Sequence, residues 1–145
     1  MRINNKSTIL FVTIPSPLES EMADPERDPG INLHDNTQMF KALGDETRIR
    51  MLGLLIQGEL CVCDIMEVLN LPQSTASRHL AYLKNARWVA GTRRGKWMYY
   101  QLAERLLDGS IHRSIVLYLS GLKEVQADHR KLLCLLQKKD DRSCK

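Results

Sequence analysis

The chain has 145 residues, 43% apolar and 26% charged, the composition of a soluble globular domain of ordinary size. No run approaches the ~18 apolar residues that a membrane span needs, and "ILFVTI", ended by Pro15, is too short for a signal-peptide core. A cytoplasmic location is expected, where Cys61, Cys63, Cys134 and Cys144 stay reduced and read as ligands, reactive thiols or small core residues rather than a disulfide frame.

The net charge of +4 is unevenly spread. Residues 1–40 carry three Lys/Arg against six Asp/Glu, and residues 41–145 carry eighteen against eleven. From Val68 to Ala103 there is no acid, while Arg78, Lys84, Arg87, Arg93, Arg94 and Lys96 all fall in that stretch. A one-sign stretch inside a folded region attracts a polyanion; a solvated basic face would have the same composition.

Taken in chain order, residues 1–33 are expected to be a disordered tail. "PSPLESEMADPERDPG" has four prolines, mixed charge and too little apolar surface to offset the entropy of ordering. The folded domain is expected over residues 34–138. Met39, Phe40 and Leu43 share a face of a short helix that Gly44 breaks. Asp45 caps a second helix, Thr47 to Gln57, with Ile49, Leu52, Leu55 and Ile56 inward and Gly58 as its C-terminal cap. "VCDIMEVLN" is a third helix with Val62, Ile65, Met66 and Leu69 inward. "LPQS" is a turn, and "STASRHLAYLKNA" a fourth helix with Ala76, Leu80 and Leu83 inward and Ser74 as N-cap. "WVAGTRRGKWMYYQL" then alternates about a turn at "TRRGK", which predicts a β-hairpin. Glu104 to Lys138 reads as mostly helical. Ile111, Ile115, Tyr118, Leu122, Val125, His129, Leu132 and Leu136 form one seam, with Gly109 and Gly121 as possible interruptions. Residues 139–145 read as a polar C-terminal tail. The fold class is mainly α with a small β-hairpin.

Two short helices joined by a tight turn and followed by a basic hairpin make a winged helix-turn-helix. The second helix of such a pair must offer small polar and basic side chains at its N-terminal end, which enters the major groove. Gln73, Ser74, Thr75, Ser77, Arg78 and His79 meet that demand. Gln can pair with adenine and Arg with guanine. Arg93, Arg94 and Lys96 at the hairpin tip are placed to grip phosphate or the minor groove. Trp88, Trp97, Tyr99 and Tyr100 read as hairpin packing.

The segments "ALGDETRIRMLGLL", "GELCVCDI", "QSTASRHLAYLKNARWV" and "RRGKWMYYQL" closely resemble the ArsR/SmtB family of bacterial metal-responsive repressors, and within it the arsenic-responsive members. The resemblance covers about Met39 to Leu102, and its four segments agree in order and spacing. It implies a non-enzymatic repressor, homodimeric through its first and last helices. Such a protein sits on double-stranded operator DNA and leaves when a metal binds. It also implies that Cys61 and Cys63 hold arsenite or antimonite as inducer, with no permanent cofactor and no membrane partner. As(III) is soft and takes thiolates, and a helix start lowers thiol pKa by its partial positive charge. Residues two apart on a regular helix point about 200° apart, so the pair converges only if Cys61 sits at the cap, outside helical geometry.

The chain also departs from the family's pattern. The position three after Cys63, where arsenic-responsive members often have a third cysteine, is Met66. The N-terminal extension lacks the cysteines that cadmium- and lead-responsive members add, and Asp108, His112 and His129 are not spaced as the zinc pairs are. Cys134, on the flank of the last helix, Cys144, in what reads as a polar tail, a small thiol or water are the candidates for a third ligand. Two alternatives stay open on the same fold: sensing of thiol oxidation, or of another thiophilic ion (Cd, Pb or Zn), through the same pair. A thiol enzyme is a third reading, but no partner base or Gly-rich cofactor loop stands near the cysteines.

Overall fold

Asp45 opens the central helix. Its carboxylate accepts the Arg48 backbone N–H at 3.0 Å, so the helix spans Glu46–Leu55. The computed structural model describes residues 32–104 and 110–143. The expected tail up to residue 31, Asp108, Gly109 and Cys144 lie outside the described residues.

In chain order the elements are α1 (Leu33–Ala42), α2 (Glu46–Leu55), β1 (Leu60–Cys61), α3 (Val62–Leu69), α4 (Gln73–Asn85), β2 (Val89–Arg94), β3 (Trp97–Leu102), α5 (Ser110–Ser120) and α6 (Lys123–Ser143). The three strands form one antiparallel sheet in the order β1-β3-β2. This is a winged helix-turn-helix with a small sheet, as the periodicities predict.

Five consecutive residues of α2, from Met51 to Leu55, are buried. A helix buried around most of its circumference is a core helix, and here the others pack around it. That is why Met51 and Leu54 join the expected Leu52 and Leu55 inside, while Ile49 and Ile56 are only half-buried. On α1 Met39 is buried but Phe40 is half-exposed, because consecutive helical residues point about 100° apart and cannot share a face. On α3 the buried apolar residues are Ile65, Val68 and Leu69, with Val62 and Met66 half-buried. Gly58 is not the C-cap of α2, which is Ile56; it follows at φ +131°, a backbone that glycine takes without strain.

The long terminal seam is two helices. The helix breaks at Gly121 and Leu122, so the apolar period does not continue as one face. Val125 and Leu132 of α6 are buried in this chain's own core, whereas Ile111 and Tyr118 of α5 are exposed. Helix α6 also runs past Lys138 through Ser143, where a tail is expected from sequence.

Helix α6 docks on α2 at one turn. Gly53 faces Val125 so closely that a Cβ there would lie 2.6 Å from Val125 Cγ1. One turn away, Arg50 and Asp128 form a forked pair, Nε to Oδ2 at 2.7 Å and Nη2 to Oδ1 at 2.8 Å, and Asp128 is only 1% exposed. His129 Nε2 donates to the Gly53 carbonyl at 2.6 Å. Between α1 and the hairpin, fully buried Trp88 donates its indole N–H to the Met39 carbonyl at 2.8 Å.

Alanine normally stabilises a helix interior over glycine by about 1 kcal/mol. At Gly53 the sign should reverse. Gly53→Ala is expected to lower stability to urea by about 1–3 kcal/mol through overpacking against Val125, and adding Val125→Ala should restore part of the loss. An unchanged urea midpoint in Gly53→Ala would show that α6 does not need this close approach.

Candidate nucleic-acid interface and thiol site

Helix α3 ends on Asn70, which takes the left-handed conformation at φ 53° and hands the chain to α4 through Leu71 and Pro72. Pro72, with extended backbone, stands at the N-cap of α4, and no side chain caps that end. Ser74 is therefore inside the first turn instead of capping it. The proline moves the cap two residues earlier, so that the helix starts at Gln73, and leaves the first backbone N–H groups open to an anion.

Ala76, Leu80 and Leu83 seat α4 on the core, all fully buried. The opposite face presents Gln73, Ser74, Ser77 and Arg78, which are exposed. Thr75 and His79 are half-buried. His79 turns back toward the fold, its Nδ1 3.7 Å from an Asp45 carboxylate oxygen. It thus faces Asp45 rather than solvent alone.

The wing is closed by a two-residue turn, Gly95 and Lys96, between the paired Arg94 and Trp97. Gly95 holds the first turn position at φ +60°, which favours glycine. Arg93 and Lys96 are exposed, and Arg93 Nε donates to the Gly95 carbonyl at 3.1 Å. Arg94 is held differently. It forms an ion pair with Glu59 at 2.7 Å, and its guanidinium lies 4.8 Å over the Tyr99 ring. Sequence reading missed Glu59. Trp97 is exposed at the tip, while Tyr100 packs inward, and Gly91 opposite leaves room for its ring.

The thiols lie where strand passes into helix. Leu60 and Cys61 form β1, which pairs with β3 so that Cys61 stands opposite Tyr99. Cys61 is also the N-cap of α3, with extended backbone at φ −65° and ψ 145°, and its sulfur accepts the Cys63 N–H at 3.4 Å. The two-residue strand keeps Cys61 out of the helix, so the opposed directions of a regular helix do not apply. Cys61 is buried and Cys63 half-buried.

The expected drop in thiol pKa is not found at Cys63. Burial first, then its hydrogen bond with Cys61, then the adjacent Asp64 charge push the Cys63 thiol up to about 11, and the pull of Lys139 in the other direction is smaller. Asp64 is itself buried and ion-paired with Lys139, so the last turns of α6 are pinned beside the thiols. Met66 packs against the core. Cys134 is exposed and lines an open groove of about 580 Å³ with Glu67 and Val68 of α3 and Arg130 and Lys138 of α6. His112 packs edge-on against Trp88, ring centroids 5.4 Å apart, and His129 bonds the Gly53 carbonyl, so both imidazoles are held by the core. No helix among the described residues is long and apolar enough to cross a membrane.

Comparison with known proteins points the same way. The family profile described as "Bacterial regulatory protein, arsR family" matches residues 45–90, from the α2 cap into β2. The chain is 48% identical over 65 residues to the arsenic resistance transcriptional regulator ArsR1 of Pseudomonas putida, covering 44% of this chain and 51% of that one. It thus spans about half the length of that relative. It is 39% identical over 92 residues to ArsR2 of the same organism, covering 63% of this chain and 79% of that one. Among solved structures it resembles a homodimeric winged helix-turn-helix DNA-binding domain from Mycobacterium bovis, described as a possible ArsR-family transcriptional regulator. The identity there is 31% and the TM-score 0.52, covering 59% of this chain and 76% of that one.

The raised pKa has a direct readout. Only the thiolate alkylates, so Cys63 should react with iodoacetamide far more slowly at pH 8 than exposed Cys134, and its rate should keep climbing toward pH 11. Peptide mass spectrometry after timed labelling distinguishes the two sites. Equal rates at pH 8 would mean that Cys63 is more exposed or more acidic than its surroundings imply.

Proposed function

Because the chain belongs to the arsR family of bacterial regulatory proteins, we propose that it is a DNA-binding repressor of a metalloid-resistance operon, released when arsenite or antimonite binds Cys61 and Cys63. The observation that carries the reading is the position of Cys61: one residue is at once the last of β1, the cap of α3 and one of two adjacent thiols. An ion held by both sulfurs competes for the lone pair that now receives the Cys63 N–H. It therefore acts on the start of the helix that packs on α4.

Two copies of the chain would present two reading helices to a two-fold operator. The surface that supports pairing is apolar and exposed: Leu33 and Phe40 on α1, and Ile111, Leu117 and Tyr118 on α5. Helix α6 commits its inner face to α2 and α3 and keeps Leu133 exposed on its outer side, so the first and last helices, together with α5, stay available to a partner. Gln73, Ser74, Thr75, Ser77 and Arg78 would face the major groove, with His79 behind them, and Arg93, Arg94 and Lys96 the backbone. Metalloid and DNA each weaken the other's binding by one common factor, about 5–150-fold for a coupling of about 1–3 kcal/mol.

Two experiments test this. In a gel shift on the chain's own promoter, arsenite should release the wild type. Cys61→Ser and Cys63→Ser should keep operator affinity but stay bound at that arsenite concentration. Release of either variant as in the wild type would place the inducer site elsewhere. On the DNA side, Arg78→Ala or Gln73→Ala should cost about 1–3 kcal/mol at particular base pairs only. Lys96→Ala should weaken all sequences alike and lower the salt slope by about one unit. Uniform losses for all three would show that α4 is not the reading helix.

A further inference from the structure

Arg94 is drawn sideways from the wing onto the segment that leads into the thiols. Its Nη1 meets Glu59 Oε2 at 2.7 Å and its Nη2 meets Oε1 at 2.9 Å, with the guanidinium stacked over Tyr99. A forked guanidinium–carboxylate pair on an aromatic face is the strong form of such a contact. The same guanidinium still has more than half its surface in water, so phosphate can reach it. Glu59 lies two residues before Cys61, and Cys61 stands opposite Tyr99 in the sheet. Tyr99, whose ring lies under Arg94, is thus the sheet partner of Cys61.

We propose that Glu59 is a positioning residue that gates Arg94: its carboxylate competes with DNA phosphate for the guanidinium and passes the state of the Cys61–Cys63 site to the wing. On DNA, Arg94 leaves Glu59 for a phosphate oxygen and Glu59 turns to water. With an ion across Cys61 and Cys63, β1 is tied down. Glu59 stays under Arg94, and the wing loses that phosphate contact. The ligand favours the paired state because it holds β1, and a population shift needs only that differential. This route to the wing is separate from the route through α3 to α4, and it rests on the operator-binding reading above.

The test is a titration of labelled operator by the full-length protein over a series of salt concentrations, with and without arsenite. Wild type, Glu59→Gln, Arg94→Gln and the double variant are compared, with Glu59→Asp as a second probe of the carboxylate position and thermal melts to confirm folding. Glu59→Gln should bind about two- to fivefold tighter, the scale of an exposed ion pair. Its salt slope should steepen by up to about one unit, because no freed carboxylate recaptures a cation. Arsenite should release it less completely than wild type, and Glu59→Asp should shift the same way by less. In the Arg94→Gln background the Glu59 change should do nothing. Unchanged or weaker binding by Glu59→Gln, or an effect that persists without Arg94, would reduce Glu59 to a brace between the start of β1 and the end of β2 and overturn the gate. A wild type that ignores operator DNA would defeat the repressor reading itself. A wild type that binds and releases normally beside an indifferent Glu59→Gln would defeat the gate alone.

Discussion

The contact between α2 and α6 at Gly53 sets the position of much else. One turn of α2 supplies Arg50 and the bare backbone of Gly53; the facing turn of α6 supplies Val125, Asp128 and His129. A carboxylate that is 1% exposed is tolerable only when its partner is well aimed, and the fork from Arg50 satisfies both oxygens. Once Val125 is pressed against a position without a Cβ, α6 has little freedom to slide. Lys139 lies eleven residues past Asp128, about 16 Å along a helix at 1.5 Å per residue, and that carries it to Asp64 beside the thiols. Substitution of a small residue near the middle of α2 is thus felt at the beginning of α3.

Helix α3 is short, and its few residues meet several neighbours. Its start is capped by Cys61 within the sheet, its end is turned by Asn70 toward α4, and its buried acid is held by α6. Ile65, Val68 and Leu69 fill the core between them. A small element held at both ends transmits displacement well, because packed interiors rearrange between discrete states instead of yielding gradually. Under the proposed function, this is the path by which two thiols act on the surface of α4 without touching it.

Those features that depend on one stretch of chain were legible in the sequence. The Asp45 cap, the Ala76, Leu80 and Leu83 face of α4, and the glycine-centred hairpin each follow from local spacing. So does the placement of Cys61 outside the helix, once convergence of the thiols is required. Contacts joining distant stretches were not legible. Arg50–Asp128, Asp64–Lys139 and Arg94–Glu59 link residues 78, 75 and 35 positions apart, and no periodicity marks them. Strand β1 is two residues long and exists only by pairing with β3. The terminal seam misled because two separate helices can each keep a helical apolar period across the glycine that divides them. The Cys63 pKa went the other way because a helix start is visible in sequence and burial is not.

The two tryptophans sit in opposite surroundings. Trp88 has no exposed surface, donates to α1 through its indole N–H and meets His112 of α5 edge-on, whereas Trp97 is 54% exposed at the end of the wing. Their emission should therefore differ in colour: Trp88 blue and shielded from aqueous quenchers, Trp97 red and open to them. The protein carries its own pair of optical reporters, one reading the junction of the first and fifth helices and the other the outermost hairpin. An iodide or acrylamide quenching titration can then follow wing and core separately in the unlabelled chain.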